Sequence, residues 1–205
     1  MSKKTNLMIV IALIAAIAGF IVSNYYYNHK ESFNLQSLLV YPEKKTFTGF
    51  ELTDHNNEKI TIDNFSGKWT LLFFGFTHCP DVCPTTLTEL QKTFKLITTT
   101  EKPEVLFVSV DGERDSPKLL KEYTKFFNPL FKSATSDPAN ILALTSQVGV
   151  AYHIGEHEAG SSNYTVDHTA AIFLVNPDKQ LYGIFRYPHD ATKIANDLMQ
   201  LMDNS

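Results

Sequence analysis

Nothing in the composition favours a nucleic-acid binder. Eighteen Lys and Arg stand against 22 Asp and Glu, a formal net charge of −4, so the basic footprint that a phosphate backbone demands is missing. No internal repeat or low-complexity block interrupts the chain, and 205 residues leave room for one globular domain plus an appendage. Cysteine is scarcer still. The chain has two, Cys79 and Cys83, both inside LLFFGFTHCPDVCP. Two sulfurs cannot complete a closed zinc site, which wants four ligands.

The N-terminus lacks charge where the rest of the chain has plenty. After MSKKTN comes Leu7–Val22, sixteen residues with no charge and no proline. They would rise about 24 Å as a helix, a little short of the ~30 Å hydrocarbon core, and Tyr25–Tyr27 extend the span as an interfacial aromatic belt. Lysines before the run predict a cytoplasmic N-terminus with the domain outside. The small-x-small site Ala16-x-Ala18 lies inside the run rather than after it, which favours an uncleaved anchor over a signal peptide. The expected division is a tail and transmembrane anchor over 1–27, a linker over 28–45 and one domain over 46–205. The natural location is a bacterial inner membrane, with the domain on the periplasmic side.

Along the domain, Phe47–Phe65 reads as a β-hairpin turning at Asp54–Lys59. Trp69–Phe76 is a nearly continuous apolar run, as in a strand buried on both faces, and Val105–Val110 is a second. Helices are predicted over Pro84–Thr98, Pro117–Phe127 and Pro138–Gln147, the last capped by Asp137. Tyr164–Val175 and Leu181–Tyr187 form a hairpin around NPDK, and Ala191–Met202 closes the chain as a helix capped by Asp190. Strand–helix–strand alternation requires a parallel pair. The order is that of an α/β domain with a thioredoxin-like fold, an N-terminal β-hairpin and a single N-terminal transmembrane helix. Ligands in open sheets bind at the carboxyl ends of strands, here the end of Trp69–Phe76.

Each cysteine precedes a proline, which disfavours the helical region. Cys79 is therefore expected in an extended turn and Cys83 at the cap of a helix begun by Pro84. The helix N-terminus favours thiolate over thiol at Cys83. Three roles compete for the pair. A structural disulfide across so short a ring removes little chain entropy. A redox pair and a soft-metal site remain, and two thiolates with one imidazole suit three-coordinate Cu(I).

Seven histidines could supply the imidazole. His29 falls in the linker and His55 in a hairpin turn, both read as solvated. His189 reads as a surface or cap residue. His78 adjoins Cys79, and neighbours in an extended chain face opposite ways. His153 and His157 lie in the polar YHIGEHEAGSSN, read as a mobile loop. His168 stands where a polar stretch enters an apolar strand, with Asp167 beside it as a candidate orienting group. A lone histidine is also often only structural, so these residues alone leave the third ligand open.

FGFTHCPDVCPTTLTEL, VSVDGERDSP and YTVDHTAAIFLVNPDKQL, in that order, resemble the Sco/SenC proteins over roughly Thr46–Met202. The resemblance implies a membrane-tethered thioredoxin-like copper chaperone, not an enzyme in the ordinary sense, that assembles the dinuclear copper centre of cytochrome c oxidase. It implies Cys79, Cys83 and His168 as ligands of copper, as Cu(I) with Cu(II) left open. Asp111 then matches an acidic position tied to function without ligation. Implied partners are the copper-centre subunit of the oxidase, the membrane, and other periplasmic copper chaperones or thiol reductants. Gly112 departs from the family, where many members have proline, and is expected to alter loop stiffness. A thiol–disulfide oxidoreductase acting on the oxidase cysteines is the rival reading. A peroxiredoxin-type peroxidase ranks last, because threonine three residues before the reactive cysteine is replaced by Phe76 or Pro80.

Overall fold

A computed structural model describes residues 3–28, 34–158, 160–161 and 163–203. The chain divides into two compact units, 1–34 and 35–205. In the first, the apolar run lies within a single helix, α1 (Lys3–Asn28). Its side chains are described only for Met8, Ile9 and residues 11–24, and among the described residues no helix is long and apolar enough to cross a membrane. The side chains of Tyr25–Tyr27, and His29 altogether, lie outside the described residues.

The second unit is built on β4 (Thr70–Gly75), whose six residues are all buried. Burial of both faces is what its unbroken apolar sequence dictates. On one side β4 pairs in parallel with β5 (Glu104–Ser109), and β5 in parallel with β6 (Lys132–Thr135). On the other it pairs antiparallel with β9 (Ala171–Val175), which turns back into β10 (Gln180–Arg186). The expected hairpin is β2 (Leu52–Asp54) with β3 (Lys59–Ile60), joined to β6. Crossovers run through α2 (Val82–Leu96) and α3 (Pro117–Phe127), followed by α4 (Pro138–Val148) and the C-terminal α5 (Ala191–Met202). Helix α2 packs on α5, and α3 on β6. This is the thioredoxin-like arrangement, with antiparallel additions at both edges.

Two boundaries differ from the sequence reading. The last part of the expected linker 28–45, from Leu38 on, is a strand, β1 (Leu38–Thr46), which pairs antiparallel with β10. Its entry is clamped by Asp197 on α5, fully buried, which accepts the backbone N–H groups of Gln36, Ser37 and Leu38 at 2.7–2.8 Å and the Ser37 hydroxyl at 2.9 Å. The span Tyr164–Val175 is not one strand. It breaks at Thr169–Ala170 into β8 (Val166–His168) and β9, and β8 forms a separate two-stranded ribbon with β7 (Tyr152–Ile154).

Candidate metal centre

The site grows out of the carboxyl end of β4. Gly75 ends that strand, and a Cβ placed there would meet the Cys83 sulfur at 2.6 Å and the Phe107 ring at 2.8 Å. Only glycine lets the sulfur sit so close to the sheet. The turn Phe76–Asp81 follows, closed by the Cys79 N–H on the Phe76 carbonyl at 3.3 Å. Cys79 is in this turn, as expected, but Cys83 is not the cap. Helix α2 begins at Val82, with Asp81 as the N-cap residue, and Cys83 occupies its first turn. Proline is tolerated there because N–H groups of a first helical turn have no intrahelical acceptor. One such orphan, the Cys83 N–H, is answered by the Cys79 sulfur at 3.4 Å, so a thiolate acts as the helix cap.

The beginning of this turn is pinned from below. The fully buried Asp115 carboxylate accepts from the Thr77 N–H at 2.8 Å, the Thr77 hydroxyl at 2.5 Å and the Ser109 hydroxyl at 2.6 Å. His78 points outward, its side chain about half exposed, and takes no part in the sulfur site.

His168 comes from β8. Its Nδ1 faces the Thr169 carbonyl at 3.2 Å, and its Nε2 lies 3.2 Å from the Cys83 sulfur. With Nδ1–H donating to the carbonyl, Nε2 is the atom left for the sulfurs. The rings of Phe73 and Phe76 meet the imidazole edge-on at 6.1 and 5.9 Å and wall it from the core. Asp167 does not orient it. That carboxylate is exposed on the opposite face of β8, across from His153, as strand alternation requires.

Neither cysteine is bridged in a disulfide. One donor atom each from Cys79, Cys83 and His168 lie within 4.8 Å of one another. Donors bound to one ion at roughly 2.0–2.3 Å stand at most about 4.6 Å apart, so the trio is within a few tenths of an ångström of ligating distance. The hydrogen bond from Cys83 pulls the Cys79 thiol down to about 4, against the opposing effect of burial, and the His168 ring and the Cys83 N–H add to that pull. Cys83 is correspondingly pushed up, by sharing its proton with Cys79 and by burial. The pair therefore holds one thiolate, half exposed, over one buried thiol. Two polarisable sulfurs and an imidazole make a soft set suited to Cu(I), with no fourth protein donor for closed zinc among the described residues.

Asp111 stands apart from the sulfurs, in a network that sequence reasoning did not reach. It is buried, and it accepts from Arg114 Nε at 2.5 Å and from the Tyr164 hydroxyl at 2.6 Å. The Arg114 guanidinium lies 3.6 Å from the Tyr164 ring centroid and 5.6 Å from that of Phe76, and donates to the Tyr164 carbonyl at 3.0 Å. Phe76 in turn touches His168. Asp111 is thus tied to the site through Arg114 and Tyr164, and the latter belongs to the segment leading into β8. Within the histidine loop, His157 is held by its neighbours: it stacks on Tyr164 at 3.7 Å and pairs with Glu113 at 2.9 Å. Glu113 holds the His157 imidazole above its ordinary value, with the Gly155 carbonyl assisting.

Two other histidines also differ from expectation. His55 is half-buried and bonded to Ser133 at 2.9 Å. Neither ring nitrogen of His189 reaches water or a partner, and burial lowers this imidazole to about 4. At Gly112 a Cβ would meet the Ser136 carbonyl oxygen at 2.7 Å, so the position is constrained by a close backbone approach as well as by loop stiffness.

Against known proteins, the model of the SCO1/SenC family matches residues 41–203. A putative copper-binding protein of Stutzerimonas stutzeri is 31% identical over 170 residues, 82% of each chain. The SCO2-like protein RP587 of Rickettsia prowazekii is 31% identical over 205 residues, covering 99% of this chain and 98% of that one. Two solved structures are similar throughout the domain. Arabidopsis thaliana ScoI with copper bound gives a TM-score of 0.71 at 31% identity, covering 78% of this chain and 100% of that one. Bradyrhizobium japonicum ScoI with copper bound gives 0.68 at 35% identity, covering 76% and 99%. With the family model spanning every strand and helix that builds the site, the chain belongs to the SCO1/SenC family.

Proposed function

We propose that this protein binds Cu(I) through Cys79, Cys83 and His168 and delivers it to the dinuclear copper centre of cytochrome c oxidase. The observation that carries the reading is the convergence of three soft donors, far apart in sequence, within 4.8 Å. The relatives named as copper-binding or copper-bound support it. The reading puts the domain on the periplasmic side of a bacterial inner membrane, tethered by α1. Support for the tether lies in the sequence: an uncharged, proline-free run behind two lysines. Loading releases the proton shared by the thiols, and neutral Nε2 offers its lone pair while Nδ1–H stays on the Thr169 carbonyl.

The test is a Cu(I) titration of the full chain in detergent micelles against a chromophoric competitor. One equivalent should bind, and His168→Ala should weaken binding by roughly a hundredfold or more, since even outer-shell changes cost 10–100-fold. Unchanged affinity in His168→Ala would reject the assignment.

The low-lying Cys79 thiolate, with a protonated Cys83 behind it, favours a second reading, reduction of a disulfide in the oxidase copper site. Cys79 would attack one sulfur of that disulfide and release the other as a thiol. Cys83 would then attack Cys79 and displace the sulfur still bound to it, leaving a Cys79–Cys83 disulfide and two reduced substrate thiols. Exchange that persists in His168→Ala and vanishes in Cys79→Ser would establish it.

A further inference from the structure

His78 takes no part in the three-donor site, yet its ring is not left to solvent alone. The Thr77 hydroxyl gives its one proton to the Asp115 carboxylate at 2.5 Å. Toward His78 Nδ1, 3.1 Å away, that oxygen can therefore only accept. The neutral imidazole is thus fixed with its proton on Nδ1 and its lone pair on Nε2. Asp115 Oδ1 lies 3.8 Å from Nδ1, which favours the same tautomer. Among the described residues no hydrogen bond reaches Nε2, and the side chain is 52% exposed.

An imidazole with one nitrogen tied back to a carboxylate is the arrangement of metal-ligating histidines, because the tie fixes ring and tautomer and raises the basicity of the other nitrogen. Here the tie runs through one hydroxyl. Asp115 is fully buried, and among the described residues this imidazole is its only ion-pair partner. His168 is held in the same state, with Nδ1 on a carbonyl and Nε2 toward the sulfurs. Chain order at the site is also the order of burial: His78 is half exposed, Cys79 intermediate and Cys83 buried. Residues 76–81 form a turn between β4 and α2, so strand alternation does not force His78 and Cys79 apart, and their Cα atoms are about 3.8 Å from each other.

We propose that His78 Nε2 is the transfer ligand of this site, taking Cu(I) from an incoming carrier, passing it inward to Cys79 and receiving it back for handover. The inference rests on the copper-delivery reading and deepens it. Each step exchanges one ligand for another. Nε2 gives its lone pair to Cu(I) as a ligand of the carrier leaves. The Cys79 thiolate then displaces Nε2, and Cys83 and His168 complete the set, with the Cys83 proton passing to solvent. Copper stays Cu(I) throughout, and no electron moves. Delivery runs the same exchanges in reverse.

Two substitutions separate a ligand from a structural hydrogen bond. His78→Gln keeps an N–H for Thr77 but offers copper only a hard carbonyl oxygen. His78→Met loses that N–H but keeps a soft donor. Cu(I) held as its coloured bicinchoninate complex is mixed with the reduced full chain in micelles, and the loss of colour is followed by stopped flow. The rate should fall roughly tenfold or more in His78→Gln and stay near the parent's in His78→Met, with the equilibrium Cu(I) affinity of both unchanged. Before copper is added, nitrogen NMR of the imidazoles should find the His78 proton on Nδ1. A parent rate in His78→Gln, a His78→Met as slow as His78→Gln, a loss of affinity that matches the loss of rate, or a proton on Nε2 would each overturn the proposal. A parent chain that takes up no Cu(I) would refute copper delivery itself, and the transfer ligand with it.

Discussion

Replacing Asp111 by alanine should cost more stability than any exposed position and should loosen the metal site without touching a ligand. The carboxylate is buried and bonded to Arg114 and Tyr164. The Arg114 side chain is only 8% exposed, so Asp111→Ala leaves a guanidinium desolvated without its counter-charge. Breaking a buried pair in this way costs about 3–5 kcal/mol, a large share of the 5–15 kcal/mol typical of a folded domain. With a urea slope of about 2 kcal/mol/M, the midpoint should fall by roughly 1.5–2.5 M. Trp69, packed edge-on to Tyr182 at 4.9 Å, supplies a fluorescence signal for the transition. Cu(I) affinity should fall as well, because Tyr164 anchors the segment that delivers His168. The double variant Asp111→Leu with Arg114→Met should recover much of the stability, since it removes both charges together. A midpoint in Asp111→Ala within about 0.5 M of the parent would refute this account of the network.

Gly75→Ala should destabilise by about 1–3 kcal/mol through overpacking and weaken Cu(I) binding, because the new methyl group would overlap the Cys83 sulfur and the Phe107 ring; denaturant melts and copper competition read the two effects. Asp197→Ala strips four hydrogen bonds from the start of β1 and should cost about 3 kcal/mol, with fast amide exchange at Leu38 and Leu39 as its signature. The His157–Glu113 contact should make loop protection depend on pH. His157 is raised and Glu113 lowered by their mutual hydrogen bond. The His157 contribution is complete below its ordinary value of 6.5 and disappears as pH rises through the raised one. The Glu113 contribution is complete above its ordinary 4.5 and disappears as pH falls through the lowered one. The protection factor of the Gly160 amide, which donates to Glu113 at 3.0 Å, should therefore peak between about pH 4.5 and 6.5 and decline on the alkaline side. A flat profile in the parent, or an unaltered one in His157→Gln, would refute the coupling.

What the sequence revealed divides along a physical line. Elements whose signal is local were legible: α3 and α5 span the residues expected, α5 with Asp190 as its cap, and β4 follows from its apolar run. Elements defined by their neighbours were not. Strand β6 reads KSAT, with nothing hydrophobic beyond one alanine; it is a strand because β5 and β2 flank it. Strand β1 contains Pro42 and two lysines, which resemble a tether. As an edge strand it tolerates them, with an irregular register between Val40 and Lys45. The two cysteines stood out because so few sulfurs leave little choice, whereas the residues alone left the third ligand open among seven histidines and the family resemblance pointed to His168. Arg114 and Tyr164 carry no pattern of spacing that could have announced them. Asp167 was over-read, since adjacency along a strand separates side chains by the thickness of the sheet.

The carboxylate of Asp197 has a mechanical consequence. Any tension on the segment before Leu35 enters the domain at this one residue of α5 and along the β1–β10 ladder. In the strand order, β10 and β9 stand between that edge and β4, whose end bears the sulfurs. A pull applied at the start of β1 would be taken up at the edge of the sheet, two strands away from the end of β4 that carries the thiols.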